Sequence, residues 1–219
     1  MLSPLKGFYL KINDFLESKS KKSVNVLPGR DGKLYEVRDS AIGRIVVEAS
    51  YVKELDKITP GFQLRLPKIP GQLLKMTISF FRAWHDWEAM VQIFFDKEER
   101  RYFIYVPQQE VSKVAINAQF TEQFSGRYSE RFIEVCQIHS HNSMMAAFSS
   151  IDDANEKKFM IYGVVGKIDQ AIPEIQLRVG VNGKFIPLAV DFVFTEYDLS
   201  QNSSYPHEWD EQVTVEGRG

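Results

Sequence analysis

Apolar residues in this chain change their spacing near residue 69, and the elements they predict change with them. In residues 7–67 the pattern is short and broken. Phe8, Leu10 and Ile12 alternate with Tyr9 and Lys11, the period-two signature of a strand with one buried face. Pro28-Gly29 and Asp31-Gly32 read as turns, and residues 42–49 are rich in β-branched side chains. Pro60-Gly61, Pro67 and Pro70 punctuate the chain. The segment reads as short strands and turns, with a boundary near residue 69.

From Gly71 helical spacing takes over. Leu73, Met76, Phe80 and Trp84 recur at a helical period and predict a helix over about 71–85 with one buried face. Two apolar runs, 89–95 and 102–106, flank the charged stretch from Asp96 to Arg101 and predict a hairpin. Residues 111–120 predict a further strand, and the polar residues 121–130 a loop. Strands are expected at 132–141, 159–165, 174–181 and 185–194, with a short helix of acidic first turn at 149–158. Pro173 and Asn182-Gly183 are turn signals. From Asp198 the chain is polar and acidic around an isolated Trp209. Helices sparse among many strands predict an α+β class, a mixed β-sheet flanked by helices. The expected organisation is a small β-rich extension, 1–68, a main domain, 69–197, and an acidic tail, 198–219.

Composition narrows the function classes. A length of 219 residues suits one ordinary domain with a smaller appendage, and 44% hydrophobic with 26% charged residues is a globular balance. A net charge of -2 gives no electrostatic reason to expect a nucleic-acid partner. The single cysteine, Cys136, rules out an internal disulfide and suits a reducing cytosol. Lysines and an aspartate interrupt the first fifteen residues, and no run approaches the ~18 apolar residues of a membrane helix. The expectation is a soluble cytoplasmic protein with no membrane partner. Its oligomeric state is left open.

Chemistry enters with the histidines. Two of the four stand in His139-Ser140-His141, at the end of a predicted strand. Residues i and i+2 of a strand share a face with Cα atoms ~6.5–7 Å apart, so two imidazoles there can converge on one ion. Alone, such a pair is weak evidence. After seven further residues comes Ser149-Ser150-Ile151-Asp152. Ser149 with Asp152 three positions on caps a helix, and a helix start can fix Asp152 beside the strand end. Two histidines and a carboxylate leave the fourth tetrahedral position to water, as in a hydrolytic zinc site.

The stretch HSHNSMMAAFSSID, His139 to Asp152, resembles the signature of the JAB/JAMM (MPN-type) metallopeptidases: His-x-His, seven residues, Ser-x-x-Asp. Every spacing is kept. More loosely, residues 70–195 resemble the family's fold, which is cytidine-deaminase-like, while 1–68 lie outside the resemblance. The likeness implies Zn²⁺ on His139, His141 and Asp152, with Ser149 hydrogen-bonding the oxyanion of a tetrahedral intermediate. It also implies an upstream glutamate as general base, a place that Glu88 occupies where helix joins strand. Glu110, which also precedes an apolar run, competes with it. Two departures stand out: Asn142 where many members have proline, and Val91-Gln92 where a glycine often follows the glutamate. The implied activity is zinc-dependent hydrolysis of a peptide or isopeptide bond. The implied partner is a protein or peptide substrate, ubiquitin-like-tagged or a ubiquitin-fold sulfur carrier. The alternative is a non-catalytic MPN-type scaffold or protein-binding module.

Other residues carry blander expectations. Cys136, an odd number of positions before His139, should face the core. His85 should end the first helix, and His207 should lie exposed in the tail. Lys19 to Lys22 read as a solvated loop. Met144 and Met145 suit either a groove or the core.

Overall fold

The computed structural model of the protein describes residues 6–119, 128–200 and 202–217. The chain divides into two units, Met1–Pro60 and Gly61–Gly219, so residues 61–68 fall with the second unit rather than with the extension.

The first unit contains β1 (Lys6–Phe8), α1 (Ile12–Glu17), β2 (Val24–Pro28), β3 (Leu34–Ser40) and β4 (Gly43–Glu48). They form one sheet in the order β1-β2-β3-β4. The alternation read as a strand ends at Phe8. Ile12–Glu17 is helical instead and buries Phe15 against Leu27, Val37 and Tyr9. That helix is the crossover that lets β1 pair parallel to β2, a geometry no tight turn can provide. The Asp31-Gly32 turn is present, with Gly32 at φ 80.

The second unit opens with α2 (Gly71–Ala83), followed by β5 (Met90–Asp96) and β6 (Arg101–Tyr105), the expected hairpin. Next come β7 (Gln108–Val111) and β8 (Ile116–Gln119), two strands where one was expected. The Ser112 hydroxyl accepts from Val114 N–H and donates to the Ala115 carbonyl, folding a turn into what reads as a continuous run. Of the expected loop at 121–130, residues 121–127 lie outside the described residues, while α3 (Tyr128–Arg131) is a single helical turn. Then follow β9 (Phe132–Ser140), α4 (Ser150–Asn155), β10 (Met160–Gly166), β11 (Glu174–Val181) and β12 (Lys184–Leu188). Asn182 and Gly183, at φ 48 and 76, make the turn between β11 and β12. The apolar run expected to extend to 194 stops at Leu188 and continues as the short α5 (Val190–Val193). The chain closes with a 3-10 turn, His207–Gln212, and β13 (Val213–Val215).

Six strands form the main sheet in the order β12-β11-β10-β9-β5-β6. All neighbours are antiparallel except β9 and β10, which run parallel across the α4 crossover. A second sheet has the order β13-β7-β8. Mixed sheets with few helices make this an α+β arrangement. One face of the main sheet, with Val91, Ile93, Ile138, Ile161 and Leu177, packs into one core with Leu74, Ile78 and Phe81 of α2. Burying each such side chain contributes roughly 1.5–3 kcal/mol.

On α2 the predicted stripe is only partly right. Phe80 is fully buried, whereas Leu73, Met76 and Trp84 are half-buried. The C-terminal segment explains the difference. Tyr205 and Trp209 pack edge-on against Phe80 at 5.5 and 5.6 Å, and the Trp84 indole donates to Asp210 at 2.8 Å. The acidic tail is therefore built into this unit, with Trp209 only 8% exposed.

Candidate metal centre

The site lies at the carboxyl end of β9, where the chain leaves a parallel pair of strands, a usual place for ligands in sheets with crossovers. Central position buries the strand: His139 faces Met90 on one side and Val164 on the other and is 8% exposed. His141 carries the ladder one step further, donating its N–H to Val165 O at 2.8 Å. The chain then turns through Asn142 at φ 49, a left-handed conformation open to asparagine and closed to proline, whose φ is held near about −65°. The loop path here is one that a proline at this position could not follow. Gly166 lies directly beneath this loop, so close that a Cβ there would collide with the backbone of Met144, Met145 and Ala146.

Ser149 ends the loop as a capping box. Its hydroxyl accepts from Asp152 N–H at 3.2 Å, while its own N–H and hydroxyl donate to Asp152 Oδ2 at 2.6 and 2.7 Å. The cap fixes the carboxylate and leaves Oδ1 turned to His139 Nε2 at 3.5 Å. The Nε2 atoms of His139 and His141 are 3.1 Å apart, and all three donors lie within 4.8 Å of one another. Ligands at 2.0–2.1 Å in tetrahedral directions stand ~3.3 Å apart, so the 3.1 and 3.5 Å separations from His139 suit a shared small divalent ion. Among the described residues this is the one cluster of three such donors that could hold a metal ion.

The charge states fit as well. Burial pushes the His139 pKa below that of a free imidazole, against the pull of Asp152, and so favours the neutral ring. Burial works against ionisation of Asp152, but His139 and the hydrogen bonds from Ser149 outweigh it and hold the carboxyl below its ordinary range. Neutral imidazole and ionised carboxylate are the forms that bind metal.

Glu88 sits beside this cluster. Ala89 N–H donates to Ser140 Oγ and Ser140 N–H to Ala89 O, both at 2.9 Å, clamping the start of β5 to the His-x-His segment. Glu88 is 7% exposed. Burial, helped by the negative charge of Asp152, pushes its pKa up to about 7. Glu110 stays exposed on β7, opposite Asn117 and Thr214.

Sequence reasoning missed Arg178. It lies on β11, 8% exposed, with its guanidinium 3.7 Å from the ring centroids of both Phe148 and Phe185. It donates to Asp153 at 2.6 Å and, through Nε, to Glu156 at 2.7 Å, tying α4 to the sheet. The available signal was a lone charge inside an apolar strand, which needs a partner. Of the remaining histidines, His85 and His207 are exposed, beside Asp86 and Asp210. Cys136 is fully buried and burial pushes its thiol pKa up, which leaves no nucleophile there. Met144 and Met145 are exposed, 45% and 65%, and so belong to the surface beside the site rather than to the core.

No protein-family model matches the chain, and neither does any curated protein. No described helix is long and apolar enough to cross a membrane.

Proposed function

We propose that the protein is a zinc-dependent hydrolase of the JAMM type that cleaves a peptide or isopeptide bond. The observation that carries the reading is the convergence of His139, His141 and Asp152, whose donor atoms lie within 4.8 Å of one another, with the buried Glu88 beside them. His139, His141 and Asp152 would hold the ion. Zinc would supply Lewis acidity at the scissile carbonyl and a water acidified towards a pKa of ~7. Glu88 would take the proton of the attacking water and return it to the leaving amine. Ser149 would donate to the oxyanion after its hydroxyl turns away from Asp152 Oδ2, where it now points. The expected substrate is a protein or peptide bearing a ubiquitin-like tag, or a ubiquitin-fold sulfur carrier, met in the cytoplasm.

That engaged hydroxyl is also what favours the second reading, a metal-holding scaffold without turnover. Zinc content and cleavage of a ubiquitin-like fusion series separate the two. The hydrolase reading expects one zinc per chain and cleavage that Glu88→Gln abolishes while zinc is retained. A chain that binds no zinc, or cleavage that survives Glu88→Gln, would sink it.

A further inference from the structure

The edge of the first unit's sheet is an open apolar strand. Among the described residues β4 pairs only with β3, and all six of its residues are exposed. Ile45, Val46 and Val47 are 55%, 54% and 46% exposed, although Val46 lies opposite Val37, which is 1% exposed. Natural edge strands are usually guarded by a central lysine, a proline or a bulge, and this one has none between residues 45 and 47.

Register shows which backbone groups are free. Ala49 N–H donates to Leu34 O, so Leu34 and Ala49 form a hydrogen-bonded pair, as do the alternate pairs Glu36/Val47 and Arg38/Ile45. The N–H and C=O groups of Arg44, Val46 and Glu48 therefore point away from β3.

We infer that β4 is a homodimer interface, pairing antiparallel with the same strand of a second copy about a two-fold axis at Val46. In that register Val46 meets its own counterpart, Ile45 meets Val47, and Arg44 meets Glu48. The outward-pointing residues are the ones that come into hydrogen-bonded pairs. Both ends of the strand thus carry opposite charges across the axis, while the apolar residues meet each other. Arg44 and Glu48 now hold Asp39 and Lys33 at 2.8 and 2.7 Å, and a second strand would extend each pair into an alternating row. A two-residue slip would set Val46 against a charge, so the centred register is the self-complementary one.

The test uses the full chain. Because Cys136 is fully buried, Val46→Cys introduces the single accessible thiol. Under mild oxidation with diamide, Val46→Cys should form a covalent dimer, whereas Ile42→Cys, at a wholly exposed position off the axis, should not. Sedimentation over a concentration series should show the wild type as a dimer and Val46→Lys as a monomer with an unchanged circular dichroism spectrum. The lysine would meet its own charge at the axis and leave the β3 ladder untouched. The inference is overturned if the wild type is monomeric throughout, if Val46→Lys remains dimeric, or if both cysteine variants cross-link alike.

Discussion

Glu88→Gln replaces a buried carboxyl by an amide of nearly the same shape, and it should make the metal-free protein more stable. In the folded chain burial raises the Glu88 pKa from its ordinary 4.5 to about 7. Below pH 4.5 both folded and unfolded chains hold the proton, so Glu88 costs nothing. Between 4.5 and about 7 the unfolded chain ionises first and folding loses ground, and above about 7 the whole penalty is present. At ~1.36 kcal/mol per pH unit that interval amounts to ~3 kcal/mol. Urea unfolding in the presence of a chelator should show Glu88→Gln more stable than wild type by ~3 kcal/mol near pH 8 and equal to it near pH 4. Zinc should shrink the difference near pH 8, because a neighbouring cation favours the ionised carboxyl. A variant no more stable than wild type near pH 8, or one whose advantage ignores pH, would refute the claim that its surroundings raise the pKa of this carboxyl.

Other perturbations test the scaffold of the site. Ser149→Ala removes a hydroxyl that orients Asp152, and zinc affinity by competition with a chromogenic chelator should fall ~10–100-fold. The same variant should lose ~1 kcal/mol of stability with its helix cap. Arg178→Met leaves Glu156 buried without its partner and should cost ~3 kcal/mol in urea unfolding, whereas Glu156→Gln in that background should recover part of it. Gly166→Ala should force the loop over it to move, costing ~1–3 kcal/mol and weakening zinc binding by equilibrium dialysis. Asp152→Ala should abolish zinc retention while leaving Glu88 closer to its ordinary pKa, readable as a smaller stability gain from Glu88→Gln in that background.

Local signals survived the passage from sequence to structure. The β5–β6 hairpin, the Asn182-Gly183 turn and β11 stand where their patterns placed them. Ser149 and Asp152 form the cap that their spacing announced, and the two histidines converge as alternate residues of a strand can. Each depends on a few neighbouring residues, so a short window contains the physics. The α1 helix and the turn between β7 and β8 escaped because a few apolar residues fit two periods equally well. Burial of Phe15 in one case and the Ser112 hydroxyl in the other decided between them.

Tertiary structure decided the rest. The lowered pKa of His139, the raised pKa of Glu88 and the exposure of Glu110 all follow from which atoms surround each group. Those surroundings come from strands fifty residues away: Ala89 is tied to Ser140, and Met90 lies opposite His139. Trp209, isolated in the sequence, is a core residue because the chain end returns to cover Phe80. The sequence alone carried the identity and spacing of the donor groups, since covalent order sets these directly. Their protonation and their convergence with the buried Glu88 depend on desolvation and on long-range pairing, which exist only once the sheet has assembled.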